Sequence, residues 1–160
     1  MIHPTTDADK LHTASTHYDL VTHYIKLLQN TPATVRAASG YPSEVIHFHR
    51  GDSSSLVVTE EYQGKRFVST LSQTTSITPK RPFNHVYRLP EQDTTPEMEQ
   101  WHEWQSDGTI VKVFLTNGFQ ADGYIKSYAR GVIVLATTDK NGHTVDMLML
   151  SISKVSENQK

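Results

Sequence analysis

Cysteine is absent from the 160-residue chain. That excludes disulfides, thiol nucleophiles and thiolate zinc sites together, and it fits a reducing compartment. Long apolar runs are missing too. Nothing approaches the roughly 20 residues of a membrane-spanning helix, and Met1 to Leu11 is polar, without the hydrophobic stretch of a secretory leader. The expected location is the cytoplasm, with no membrane contact. Charge of one sign is also lacking: the net charge is −2 and the pI about 6.5. No global basic field marks the chain for nucleic acid, so any such binding must be local. The hydrophobic share, 36%, suffices for one ordinary domain or two small ones.

Residues 1–16 are polar and aperiodic and are expected to be a loosely held lead-in. Residues 17–78 read as a small helix-plus-strands domain. Tyr18, Leu20, Val21, Tyr24, Ile25, Leu27 and Leu28 recur at helical spacing until Thr31-Pro32 stops them. Short β-branched or apolar runs follow at Thr34-Val35, Val45-Ile46, Leu56 to Thr59 and Phe67 to Leu71, punctuated by Ser39-Gly40, Gly51-Asp52 and Gln63-Gly64. Residues 79–95 carry Pro79, Pro82 and Pro90 with Lys80, Arg81 and Arg88, and read as a basic linker.

Residues 96–157 form the clearest unit. Pro96 suits a first helical turn, where its missing N–H is no loss, and Glu97 and Glu99 suit the positive end of the helix dipole. Asp107-Gly108 closes that helix. Five short strand signals follow, over Ile110 to Leu115, Phe119 to Tyr128, Val132 to Ala136, Val145 to Met149 and Ile152 to Val155. The fold class expected is mainly β: a helix and a strongly bent, barrel-like five-stranded antiparallel sheet. So small a unit buries little alone and should associate with copies of itself.

Three runs in this unit fall in a recognisable order: Val113-Phe114-Leu115-Thr116-Asn117-Gly118, Gly123-Tyr124-Ile125-Lys126-Ser127-Tyr128 and Val132-Ile133-Val134-Leu135, with Ile152-Ser153-Lys154-Val155 as the ending. Together they resemble the Hfq family of Sm-like RNA-binding proteins over roughly residues 96–156. Asn117-Gly118 is expected to supply the positive φ angles of a tight hairpin, and Gly123 the bend by which one strand serves both ends of a small barrel. The resemblance implies strand edges consumed in closing a ring, six subunits in Hfq, with no cofactor, no metal and no enzymatic activity. It also implies single-stranded RNA as partner, and a role as RNA chaperone or post-transcriptional regulator.

The binding residues depart from the family's pattern. Gly131 stands where the family stacks an aromatic on uridine, and Leu148-Met149-Leu150 stands for its Tyr-Lys-His triplet, so the usual uridine site is expected to be lost. Glu97, Glu99 and Glu103 replace the rim arginines and would repel phosphate. On the remaining face Phe114 and Phe119 offer stacking surfaces, with Gln120, Asp122, Lys126 and Lys154 as hydrogen-bonding candidates. A-rich RNA is therefore expected above U-rich. Core or inter-subunit packing is the competing reading of the two phenylalanines. Trp101 and Trp104, three apart on one helical face, cap the barrel or dock a partner.

An offset of 78 residues sets Gly40 on Gly118, Gly64 on Gly142, Tyr41 on Phe119 and Val35 on Val113, although Val45 replaces Gly123. The first half thus reads either as a degenerate second Sm-like unit, three chains then making a six-unit ring, or as an unrelated domain decorating a hexamer. His47-x-His49 puts two imidazoles on one strand face with Glu44 or Asp52 as third ligand, but nine histidines make such a pair common by chance. The alternative to RNA binding is a ring that holds another protein.

Overall fold

The computed structural model describes residues 19–90 and 92–158, which places the lead-in and Tyr18 of the first predicted helix outside them. Helix α1, Leu20–Leu28, begins where Asp19 accepts the Thr22 N–H at 3.1 Å, and buries Leu20, Val21, Tyr24, Ile25 and Leu28 along one stripe. Helix α2, Pro96–Asp107, begins at Thr95, has Glu97 and Glu99 in its first turn, and ends at Gly108 with φ 65°.

After α1 come strands β1 (Ala33–Ala37), β2 (Pro42–Gly51), β3 (Ser55–Tyr62), β4 (Lys65–Ser72) and β5 (Thr74–Pro79). After α2 come β6 (Ile110–Leu115), β7 (Gln120–Ala129), β8 (Val132–Thr138), β9 (Thr144–Met149) and β10 (Ile152–Glu157). The mainly β class is as expected, but the ten strands form one continuous open sheet, in the order β10-β6-β7-β8-β9-β5-β1-β2-β3-β4, where the expectation is a closed, barrel-like five-stranded sheet preceded by a separate helix-plus-strands half. The physical reason is the central junction. Ser76 and Ile77 of β5 pair antiparallel with Met149 and Leu148 of β9, joining two five-strand sets edge to edge. Each set runs fifth, first, second, third, fourth. The pairs β2 and β7, and β5 and β10, are separated by 78 positions at both ends.

The hairpins explain the glycines. Gln63 and Gly64, φ 51° and 77°, form a two-residue turn of the kind that matches strand twist. Asn117-Gly118 differs from expectation, since of the two only Gly118, φ 89°, is left-handed. The Gly118 N–H donates to the Leu115 carbonyl at 3.0 Å and the Leu115 N–H to the Phe119 carbonyl at 2.8 Å, a three-residue loop in which glycine alone takes the positive φ. Asn117 is used differently: its Oδ1 accepts the Phe119 N–H, while Nδ2 donates to the Ala37 carbonyl at 3.2 Å and Thr75 Oγ1 at 3.0 Å, tying the turn to the other half.

Two apolar cores result. The second half's own core holds Met98, Trp101, Val111, Val113, Ile125, Ile133, Leu135 and Met149. The first joins α1 and β1–β5 to Phe83, Tyr87, Val132, Val134, Leu148 and Leu150. The first half therefore completes its core with side chains from β8 and β9.

The segment expected as a basic linker is packed into the protein. Phe83 forms a parallel bridge to Val145, its N–H donating to the Thr144 carbonyl at 3.2 Å and its carbonyl accepting the Asp146 N–H at 2.8 Å. Tyr24 meets Phe83 edge-on at 5.6 Å and stacks on Tyr87 at 6.3 Å. Ser127 Oγ donates to the Arg88 carbonyl, and Gln92 accepts the Arg130 N–H at 2.8 Å. The buried aromatics among the prolines were the overlooked signal, because burial of Phe83 and Tyr87 stabilises a fixed path that proline and charge content alone do not predict.

Where this strap meets α1, desolvation by burial lowers the His23 pKa below its ordinary value, helped by the charges of Arg88, Lys26 and His85. A lowered folded-state pKa means the unfolded chain binds the proton more readily, so stability is full above about pH 6.5 and falls as pH drops toward the folded value. The urea midpoint should decrease between pH 7.5 and pH 5, and His23→Gln should flatten that slope. An unchanged slope in the variant would remove His23 as the cause.

Candidate nucleic-acid interface

Register places the candidate residues before any function is considered. On β6, Val111, Val113 and Leu115 face the core, so Ile110, Lys112 and Phe114 face outward. Pairing then builds rows across three strands. Lys154, Phe114 and Gln120 form one row, Ser156, Lys112 and Asp122 the next, and Ile110 stands beside Tyr124 in the third. Lys154 Nζ lies 4.9 Å from the Phe114 ring centroid, a cation resting on the face of a half-buried aromatic. Lys112 and Asp122 approach at 3.7 Å in an exposed pair, which organises the surface more than it stabilises it.

Beside these rows lies a groove of about 660 Å³ lined by Gln120, Asp122, Tyr124, Thr137, Asp139 and Val145, among others. The His143 backbone N–H donated to Asp139 holds that carboxyl below its ordinary range. Two carboxylates thus border the groove, an arrangement that accepts base N–H groups and disfavours phosphate. Tyr124, 47% exposed, and Lys112 belong to this surface and were missed in the sequence. The period-two alternation from Gln120 through Asp122 to Tyr124 was the available signal.

Phe119 stands apart, at the junction of the two halves. Arg36 lies 5.3 Å from its ring centroid, and both line a cleft of about 590 Å³ with Thr34, Lys80, Lys140 and Asn141. Arg36 and Lys140 border this cleft together with Asp139, and Lys80 is paired with Glu44, so its charges are mixed. Lys126 is a correction to the candidate set. Its ammonium bonds Asn84 Oδ1, the His85 carbonyl and, at 3.1 Å, Asp146 Oδ2, which occupies all three of its donors inside the protein. A bulge between Ile125 and Ser127 breaks the alternation that would have pointed it outward with Tyr124.

Gly123 is where the sheet demands glycine, since an added Cβ would lie 2.1 Å from the Ala136 carbonyl oxygen. Leu148, Met149 and Leu150 are buried in the two cores, and Gly131 is exposed. No charged triplet or stacking ring occupies these positions. Glu97, Glu99 and Glu103 are exposed on α2. Trp101 is buried in the second core, and Trp104 packs half-buried against it while its Nε1 donates to Glu157 at 3.0 Å. The imidazoles of His47 and His49 lie 4.4 Å apart, but their nitrogens bond Asn30 and Thr59, and Glu44 bonds Thr34 and Lys80. Among the described residues no helix is long and apolar enough to cross a membrane. No family model, curated protein or solved structure matches the chain.

Proposed function

We propose that the protein is a self-associating, Sm-like module that binds single-stranded RNA on the outward face of β10, β6 and β7, as a cytoplasmic RNA chaperone or post-transcriptional regulator. The observation that carries this is the row Lys154–Phe114–Gln120, in which a cation lies 4.9 Å from an outward aromatic ring beside an exposed amide. Such a row offers a base a stacking surface, a phosphate-neutralising charge and hydrogen bonds together. Phe119 with Arg36 provides a second aromatic–cation pair at the central junction.

Three features support the Sm-like reading. A helix precedes five strands twice over, each strand set has the same order, and Gly123 approaches a neighbouring backbone as a bent strand requires. On this reading two units share each chain and three chains make a six-unit ring. The buried Leu148-Met149-Leu150 leaves no basic, aromatic pore-side pocket of the usual type, so the preference is A-rich above U-rich RNA.

Filter binding with A-rich and U-rich oligomers at several salt concentrations tests the proposal. A-rich RNA should bind more tightly, with affinity falling as salt rises. Phe114→Ala should weaken A-rich binding about tenfold or more, the loss of one base stack. Tight U-rich binding would overturn the site assignment. The exposed glutamates of α2 favour one other reading, a ring that holds a basic protein segment in place of RNA, and absence of binding to either oligomer would select it.

A further inference from the structure

Two turns of the second half are built alike, and each carries Asn-Gly. Between β6 and β7 the Leu115 N–H donates to the Phe119 carbonyl at 2.8 Å and the Gly118 N–H to the Leu115 carbonyl at 3.0 Å. Between β8 and β9 the Asp139 N–H donates to the His143 carbonyl at 2.9 Å and the Gly142 N–H to the Asp139 carbonyl at 3.0 Å. Gly118 and Gly142 share the left-handed conformation, φ 89° and 82°. Backbone and dipeptide match, so the two turns differ in what holds the asparagine side chain.

Asn117 is half-buried and fully engaged, its Oδ1 accepting the Phe119 N–H and its Nδ2 donating to the Ala37 carbonyl and Thr75 Oγ1. In the second turn Asp139 has taken over that capping role, its Oδ1 accepting the Asn141 N–H at 2.9 Å and the His143 N–H at 2.8 Å. Asn141 is exposed, and its side-chain amide bonds no other group among the described residues. It is free to rotate onto the backbone nitrogen that follows it. Glycine, lacking Cβ, leaves that approach open.

We propose that Asn141 is a self-modifying site, converted by water to aspartate and isoaspartate through a cyclic imide. The Gly142 nitrogen, having lost its proton to a solvent base, attacks Asn141 Cγ. The Cγ–Nδ2 bond breaks and the nitrogen leaves as ammonia, taking a proton from water, which closes a succinimide between residues 141 and 142. Water then opens the ring. Addition at Cγ gives aspartate, and addition at the main-chain carbonyl gives isoaspartate, with the chain routed through the side chain. In sum, one amide and one water become one carboxylate and one ammonium. Asn117 must break its hydrogen bonds before it can follow the same path.

The product matters because of where it stands. Asn141 lines the junction cleft with Arg36, Lys140 and Asp139, so two cations against one carboxylate become two against two. The new charge adjoins a carboxyl that backbone N–H groups already hold ionised. Isoaspartate also lengthens the main chain inside a turn closed by the Asp139–His143 bond. Charge and shape of the cleft therefore change with the age of the chain. The chemistry does not depend on the RNA reading, although on that reading it weakens the cleft's hold on phosphate.

Ageing the folded full-length chain, then digesting it with trypsin for mass spectrometry, tests this. Cleavage after Lys112, Lys126, Lys140 and Lys154 puts Asn117 in peptide 113–126 and Asn141 in peptide 141–154, and a zero-time digest subtracts conversion during handling. Carboxylate should form at Asn141 at least about tenfold faster than at Asn117, whose hydrogen bonds must open first. The rate at Asn141 should rise from mildly acidic to mildly alkaline buffer, because the attacking nitrogen must lose its proton. Both aspartate and isoaspartate should appear there, as ring opening requires. In urea, where neither turn persists, the two rates should converge. Equal rates in the folded chain, aspartate without isoaspartate, or an Asn141 that reacts in urea but not in the folded protein overturns the proposal.

Discussion

Asp146→Ala should destabilise the protein by about 3 kcal/mol, the lower end of the cost of breaking a buried ion pair from one side. The Asp146 side chain is fully buried, and its Oδ2 receives Lys126 Nζ at 3.1 Å, the His85 N–H at 2.7 Å and the Tyr87 hydroxyl at 2.9 Å. Truncation leaves a cation, an amide and a phenol without that acceptor, in a region where each unsatisfied polar group carries its own desolvation penalty. The lower end applies because the Lys126 side chain is 22% exposed and keeps access to water. The thermal midpoint should fall by about 6–12 °C for a chain of this size.

The double variant Asp146→Leu with Lys126→Met discriminates between the pair and the cavity. If the orphaned charge dominates, removing both charges should recover about half of the loss, leaving the His85 amide and Tyr87 hydroxyl as the residue of the cost. If the double variant is as unstable as Asp146→Ala, packing and not charge governs the site. The consequence reaches function through geometry. Asp146 holds the strap, and Tyr24 of α1 donates to the Asp146 carbonyl at 2.6 Å, so this one residue ties both halves and the segment between them. Loosening it should blur the central junction where Arg36 meets Phe119.

Much of the fold was legible because local chemistry and tertiary structure agree. The seven apolar positions ending at Leu28 announced α1, Pro96 and Gly108 bracketed α2, and the alternating Val145, Met147 and Met149 announced β9. The 78-residue spacing of glycines was visible, since turns carry the strongest residue preferences. What the strands do with their edges was not visible. Edge pairing is made by backbone groups that every residue carries, so nothing in Ser76 or Leu148 advertises the junction. The strap was misread for the related reason that proline and charge describe its surface while Phe83 and Tyr87 describe its path. In the candidate site, Phe114, Gln120, Asp122 and Lys154 lie on one face because strand alternation carries over from sequence. Lys126 departs from that face because a bulge resets the alternation, and a bulge has no residue signature as firm as a turn's.

Gly123→Ala should be the most damaging single methyl in the sheet, at about 3 kcal/mol, the upper range for overpacking a well-filled site. The new Cβ would stand 2.1 Å from the Ala136 carbonyl oxygen and 2.9 Å from its carbon, both backbone atoms of β8 that cannot rotate away. Relief requires β7 and β8 to separate where Tyr124 pairs with Ala136, and that pairing sets the outward line of Gln120, Asp122 and Tyr124. The sheet would lose ladder hydrogen bonds as well as packing. Gly51 offers the comparison. A Cβ there comes within 2.5 Å of Leu56 Cδ2, the far end of a side chain, and no closer than 3.2 Å to backbone, at the Ser55 carbonyl oxygen, so Gly51→Ala should cost about 1 kcal/mol, the lower end for overpacking. Urea unfolding of the two variants decides the matter: a Gly123→Ala midpoint no lower than that of Gly51→Ala would mean that β7 and β8 part easily, and the close approach at Gly123 would then not be what holds the outward face in register.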